Sequence, residues 1–335
     1  MLRYELILLQ SRRINRLLLL VLLVLAIVFS MFAVWSIHYV DENGVQHAGL
    51  SSPGKLIEVK SRWSGKVTPQ VAADVMRGYE KNQSVYGADL PDKVYAGTEQ
   101  AYADIKDMIV SALCYDRDFD EAVLDGIDAD RARDIYKIRA ENIAREVKEY
   151  GTTPAKRAFL ERQSAKVRTP FSYAPFDSWD TMGLYATTYA ILLIIVISFF
   201  AAGIFSDDFR LQADAVFFTT KWGRTRGTRA RIAAGLVMAT AVYWVFMMIL
   251  SLLSFAVMGV SGGAVPVQME YSYCIYALTF MQRYLVIILA GYIGSLLAAM
   301  AAMLVSAKTH SALLAICIPF VLSVRRQSGA LQEDI

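Results

Sequence analysis

Two apolar runs, residues 184–205 and 232–260, stand on either side of one polar stretch, residues 206–231. That arrangement constrains the chain more than any other feature. Each run is long enough for an α-helix to cross a bilayer, which takes about 20 apolar residues. Both ends of the polar stretch therefore lie on the same side of a membrane. Its charges are Arg210, Lys221, Arg224, Arg226, Arg229 and Arg231 against Asp207, Asp208 and Asp214. Short basic loops are retained in the cytoplasm, so an inside loop is expected.

The rest of the chain extends this topology. With 56% hydrophobic residues and a mean hydropathy of +0.38, the composition belongs to a membrane protein. Residues 1–16 carry Arg3, Arg12, Arg13 and Arg16 against Glu5, and Leu2, Leu6, Leu9 and Arg13 fall on a rough helical stripe. An amphipathic helix at the inner membrane surface is expected there. Residues 17–38 form the first span. A basic start followed by an apolar run also describes a secretory signal, but this run exceeds the usual 7–15 residues or so, and no small-x-small cleavage site follows Trp35. The reading is an uncleaved span with a cytoplasmic N-terminus.

Residues 39–182 contain no run able to span, and they hold four more acidic than basic residues, the opposite sign to the flanking inside segments. They read as an extracellular domain. Thr68-Pro69 predicts an N-cap with proline at the first helical position, opening a helix over 70–82. Helical rhythm continues over 98–115 and 118–150, broken near Gly126 and closed by Gly151. Ile135, Ile138, Ile143 and Val147 supply one apolar face. The expected fold class is an all-α polytopic membrane protein: a transmembrane helix bundle with a mainly helical extracellular domain inserted between the first and second spans.

The second span is 184–205, the third 232–260 and the fourth 284–306. Residues 261–283 form an extracellular link with Gly262-Gly263 and Pro266 as breakers. An arginine at mid-bilayer costs at least about 2.5 kcal/mol, so Arg283 marks the outer interface and 273–281 reads as a shallow or re-entrant piece. Residues 311–324 give a short fifth apolar segment, followed by the tail 325–335.

No phosphate-binding glycine loop occurs, so the chain itself is not expected to hydrolyse ATP. His38, His47 and His310 form no metal pattern with Cys114, Cys274 and Cys317. A Cys114–Cys274 bridge is one option, and lone buried thiols are the default. Asp116, Asp118 and Asp120 fit the first positions of a calcium loop, but Glu121 stands where glycine is needed and Ile127 where glutamate is needed. No catalytic residue, metal or cofactor is expected. A net charge of +3 without a basic, aromatic-interleaved patch gives no case for nucleic acid.

The polar stretch is patterned. Phe209, Leu211, Ala213, Ala215, Val216, Phe217 and Phe218 suit a helix lying on the membrane or docking onto a partner. Asp207 and Asp208 suit its start, Lys221 and Arg224 its end, and Gly223 its stop. The alternative is a solvated basic connector that only fixes topology. Phe205, Ser206, Asp208, Phe209, Phe218, Lys221, Gly223 and Arg224 resemble the stretch F-S-x-E-Y/F-x-x-G-T-x-x-L-L-x-x-P/K-x-x-R of the permease subunit of type-2 ATP-binding-cassette (ABC) exporters. The chain departs from it with Gln212-Ala213 in place of Gly-Thr and aspartate in place of glutamate. Residues 170–179 resemble P-F-x-Y-x-x-x-D-x-W, found in a subset with a large first extracellular loop.

The resemblance implies a bacterial cell-membrane protein that pairs with a second permease subunit, the same or a related chain, and with two copies of an ABC ATPase subunit. ATP hydrolysis there would drive export of a peptide, an antimicrobial or a lipid-like molecule. Asp207, Asp208, Phe209, Phe217, Phe218, Lys221, Gly223 and Arg224 would carry the ATPase-subunit contact. The family has six spans, so the short fifth segment implies a truncated or re-entrant C-terminus. A membrane-anchored extracellular binding or sensor protein without transport activity is the competing expectation.

Overall fold

The computed structural model describes residues 2–87, 89–113, 128–210 and 223–309; the side chains of 9–10, 206–210 and 223–224 are outside the described set. Among the described residues, four helices are long and apolar enough to cross a membrane: α2 (Arg13–Trp35), α10 (Asp177–Arg210), α11 (Thr228–Met258) and α12 (Phe280–Thr309). The chain is a multi-pass membrane protein. A short helix, α1 (Leu2–Ser11), precedes them. Contacts divide the chain into two compact units, one of Met1–Phe32, Gly183–Leu253 and Leu285–Ile335, the other of Ala33–Met182 and Ser254–Tyr284.

In the first unit the long helices meet through small residues and short hydrogen bonds. Lipid tails offer no hydrophobic drive between helices, so close packing and interhelical bonds must hold them. The Tyr189 hydroxyl donates to the Leu22 carbonyl at 2.8 Å, Tyr243 to Ile288 at 2.7 Å, and Ser306 to Ala202 at 2.6 Å. Gly235 lies under Ile204 and Met303, and Gly291 under Tyr243 and Ala190, where an added β-carbon would force its neighbours to shift. α10 is the most enclosed span, while α2 and α12 keep long apolar faces exposed.

The second unit is mainly helical: α3 (Ser52–Lys60), α4 (Pro69–Tyr86), α5 (Asp92–Gly97), α6 (Ala103–Leu113), α7 (Ala129–Arg133), α8 (Ile135–Tyr150) and α9 (Pro154–Ser164). Helix starts follow local chemistry. Thr68, Asp128 and Thr153 accept the N–H three residues on, at 3.3, 2.7 and 3.2 Å, and proline follows both threonines. Two antiparallel ribbons complete the unit, β1 (Tyr39–Val40) with β2 (Gln46–His47), and β3 (Gly65–Lys66) with β4 (Ser172–Tyr173). The core is built from Val75, Met76, Ile105, Met108, Ile109 and Ile135, all essentially inaccessible. Ile143 and Val147 are buried beside it, as their spacing predicts, while Ile138 of the same expected face is half-buried.

Two expectations change. The long helices overrun the apolar runs: α10 starts at Asp177 rather than 184, because its first turns are satisfied by protein rather than lipid. Ser178 donates to the Met258 carbonyl at 2.8 Å, and Trp179 packs on Phe255 and Tyr284 and donates to the Val260 carbonyl at 3.1 Å. Residues 271–279 are irregular backbone held against α6 and α8 rather than a re-entrant piece. Ser272 donates to the Met108 carbonyl at 3.3 Å, and the buried Arg139 donates to the Ser272 carbonyl at 2.7 Å. A reciprocal Thr279–Gln282 capping box then opens α12.

Gly262 is the tightest point of this link. Its φ is +76°, and an added β-carbon would collide with the Pro175 carbonyl oxygen. Gly262→Ala is therefore expected to destabilise the purified chain by about 1–3 kcal/mol, read as a lower melting temperature. An unchanged melting temperature would show that the Gly262–Pro175 approach is not needed.

Candidate functional site

Two places gather polar side chains, one in each unit. In the first unit the place is the pair of stems that hold the polar stretch. α10 runs helically through Asp207, Asp208 and Phe209 to Arg210, so the three belong to it rather than to the start of a new helix. Phe217, Phe218 and Lys221 lie outside the described residues. Gly223 and Arg224 belong to a π-helical turn, Gly223–Gly227, that runs straight into α11. Whatever precedes Gly223 lies outside the described residues.

Both stems are tied to the N-terminal segment. Arg12, the residue between α1 and α2, donates to the Gly203 carbonyl on α10 at 3.1 Å. Arg231, nearly buried on α11, contacts Glu5 of α1 at 3.4 Å. α1 and the link that follows it thus fasten to α11 and α10. On α1 Leu2, Tyr4, Ile7 and Leu8 remain exposed, an apolar surface suited to lipid headgroups or a protein partner.

In the second unit the site is ionic and was not foreseen. Lys60 Nζ lies 2.6 Å from Asp104 Oδ1 and 2.6 Å from Asp177 Oδ1, and the Tyr173 hydroxyl donates to Asp104 Oδ2 at 2.8 Å. Lys60 ends α3, while Asp104 and Asp177 stand in the first turns of α6 and α10. Each charge therefore sits at the helix end whose dipole favours it. The Lys60 side chain is only 7% exposed. Burial by itself would strip its proton, but the two carboxylates outweigh burial and hold the ammonium above the ordinary lysine value. Burial, with the Asp177 charge second, pushes the Asp104 carboxyl up, and burial followed by Asp104 pushes the Tyr173 phenol up. Asp177 Oδ2 is buried without a hydrogen-bond partner.

The cluster forms the wall of a pocket of about 400 Å³. Glu270 and Asp180 also line it, so four carboxylates face one ammonium there. Asp180 is 2.7 Å from Arg283, whose guanidinium also lies over the Tyr271 ring. Arg283 thus finds its counter-ion at the start of α12. Partial burial, with Asp180 second, pushes the Glu270 carboxyl up to about 7. Gln100 closes another side by a two-way bond to the Val40 backbone, at 2.7 and 2.9 Å. Among the described residues no group of three potential ligands could hold a metal ion. The pocket offers fixed negative charge and hydrogen-bonding groups, and so can orient a polar or cationic molecule.

Sequence spacing could not find this cluster, because Lys60 lies 44 residues from Asp104 and 117 from Asp177. One signal was present. Tyr173 and Asp177 are two of the five fixed letters, with Pro170, Phe171 and Trp179, of the aromatic segment that leads into α10. Cys274 is a free thiol, and Cys114 and Cys317 lie outside the described residues. The chain matches no known family model, no curated protein and no solved structure.

Removing one member of a buried ion cluster leaves uncompensated charge, at a cost of about 3–5 kcal/mol. Lys60→Met is therefore expected to lower the melting temperature sharply at pH 8. The folded-state carboxyl of Asp104 lies above its ordinary value of 3.8, so the stability it contributes is complete below that value and is lost as pH rises through the folded one. Without the ammonium that folded value rises further. The variant should accordingly recover most of its deficit at pH 5; an equal deficit at both pH values would contradict the ionic account.

Proposed function

We propose that this chain is the permease subunit of a bacterial type-2 ABC exporter, working with a second permease subunit and two copies of a separate ATPase subunit. The observation that carries the proposal is the fastening of the N-terminal segment to both stems of the polar stretch, α1 through Glu5–Arg231 and the link between α1 and α2 through Arg12–Gly203. A partner pushing on the stretch would move α1, α10 and α11 together, the behaviour expected of an element that takes up mechanical work. The resemblance of Phe205, Ser206, Asp208, Phe209, Phe218, Lys221, Gly223 and Arg224 to the family stretch supports the same reading, and four spans provide the bundle to be moved.

In this account the polar stretch and α1 face the cytoplasm, where basic residues are retained, and the helical unit with its acidic pocket faces outward. Asp207, Asp208, Phe209, Phe217, Phe218, Lys221, Gly223 and Arg224 form the ATPase contact. The exported molecule is a peptide, an antimicrobial or a lipid-like compound, and the outward unit gates or selects it. The acidic pocket favours a second reading, an extracellular binding or sensor module anchored by the spans without transport.

Co-purification separates the two. The full chain, isolated from its host in mild detergent, should bring an ATPase subunit with it, and the triple change Phe217→Ala, Phe218→Ala, Arg224→Ala should lose that subunit. Glu5→Ala should keep the subunit but lower the ATP hydrolysis of the complex severalfold. Recovery of the chain alone under every mild detergent would sink the exporter reading and favour the sensor.

A further inference from the structure

A second, larger pocket in the helical unit, of about 500 Å³, has the opposite electrostatic character. Lys66, Lys166 and Arg168 line it, and none of its lining residues is acidic. All three cations are exposed. Lys66 lies on β3, paired with Ser172 of β4, which also lines the pocket, so this charge and one wall ride on one ribbon. Lys166 and Arg168 follow α9, and the Lys166 ammonium reaches the Gln163 side chain at 3.1 Å.

The remaining wall is apolar, with Phe171 and Leu278 prominent, and it contains one anomaly. Gln268 is wholly buried, and its amide N–H groups donate to the Cys274 carbonyl at 3.0 Å and the Tyr276 carbonyl at 2.7 Å. Its Oε1 accepts nothing. Buried polar atoms are normally satisfied, so an orphaned acceptor in a pocket wall indicates a donor supplied from outside. The pocket's place in the chain narrows the source. Leu278 and Thr279, both in the wall, immediately precede Phe280, the first residue of a membrane-spanning helix. The wall therefore adjoins the start of a membrane-spanning helix.

We propose that this pocket binds the headgroup of an anionic phospholipid that carries a free hydroxyl, phosphatidylglycerol being the simplest. Its phosphate meets Lys66, Lys166 and Arg168, as clustered cations beside a span meet anionic headgroups. The headgroup hydroxyl donates to Gln268 Oε1, and the start of the acyl region covers Phe171 and Leu278. The proposal rests on the spans and on this pocket alone, and stands whether or not the chain is an exporter.

The test uses the full chain purified in detergent, stripped of lipid, and incubated in turn with phosphatidylglycerol, phosphatidylcholine and glycerol phosphate, with bound lipid counted by native mass spectrometry. Wild type should retain phosphatidylglycerol and not phosphatidylcholine. The double variant Lys66→Gln, Arg168→Gln changes only exposed side chains and should fold; it should lower phosphatidylglycerol retention at least tenfold. Equal retention by variant and wild type, or equal retention of the two lipids by wild type, would overturn the proposal. Displacement of the lipid by an equal concentration of glycerol phosphate would assign the pocket to a soluble phosphate ester and overturn the lipid assignment.

Discussion

Hydrocarbon gives a peptide backbone no partner but itself, and the rest of this structure follows from that. Four stretches are long and apolar enough to cross, and each closes its hydrogen bonds internally as α2, α10, α11 or α12. The same constraint places the charges. Arg283, three residues into α12, is paired with Asp180, three residues into α10. Where the spans touch, Gly235 and Gly291 replace bulk with proximity, and the Tyr189, Tyr243 and Ser306 hydroxyls each find a carbonyl on another helix. Such bonds are individually modest, on the order of 0.6 kcal/mol, and act mainly by fixing which faces meet.

Away from hydrocarbon the chain solves a different problem. The helical unit gathers segments from distant parts of the sequence, and Lys60 is the point at which three of them are pinned. A buried ion cluster is weak evidence of net stability, since well-packed apolar residues of the same volume often do as well. Its value here is geometric. Lys60 can satisfy Asp104 and Asp177 together only if α3, α6 and the start of α10 keep one arrangement. The cost of misplacing any of them is an unpaired buried charge. The carboxylate left short of a partner, through Asp177 Oδ2, belongs to a residue that lines the acidic pocket.

Much of the architecture was legible in residue order. Apolar run length gave the spans, because a bilayer imposes a length that few other environments do. Thr68-Pro69 gave a helix start, and the spacing of Ile135, Ile138, Ile143 and Val147 gave a face that is buried at three positions and half-buried at Ile138, because both depend on neighbours within a few residues. Span boundaries were less legible. α10 continues past its apolar run at both ends, since Trp179 and Ser178 are satisfied by protein contacts that hydropathy does not record. The candidate sites were least legible. Glu5 and Arg231 lie 226 residues apart, and each is an ordinary charge in its own neighbourhood. Lys60 looked like one more solvated lysine at a helix end, and only the long-range fold makes it the centre of a cluster.

The exporter proposal depends on one topological requirement, that the polar stretch between α10 and α11 and the helical unit lie on opposite sides of one membrane. Single cysteines placed at Lys221 and at Lys137, in a chain whose Cys114, Cys274 and Cys317 are replaced by serine, test it in intact cells with a thiol reagent that cannot cross the bilayer. The account predicts modification of Lys137→Cys at once and of Lys221→Cys only after the cells are opened. Modification of Lys221→Cys in intact cells, with Lys137→Cys protected, would invert the orientation and contradict the account.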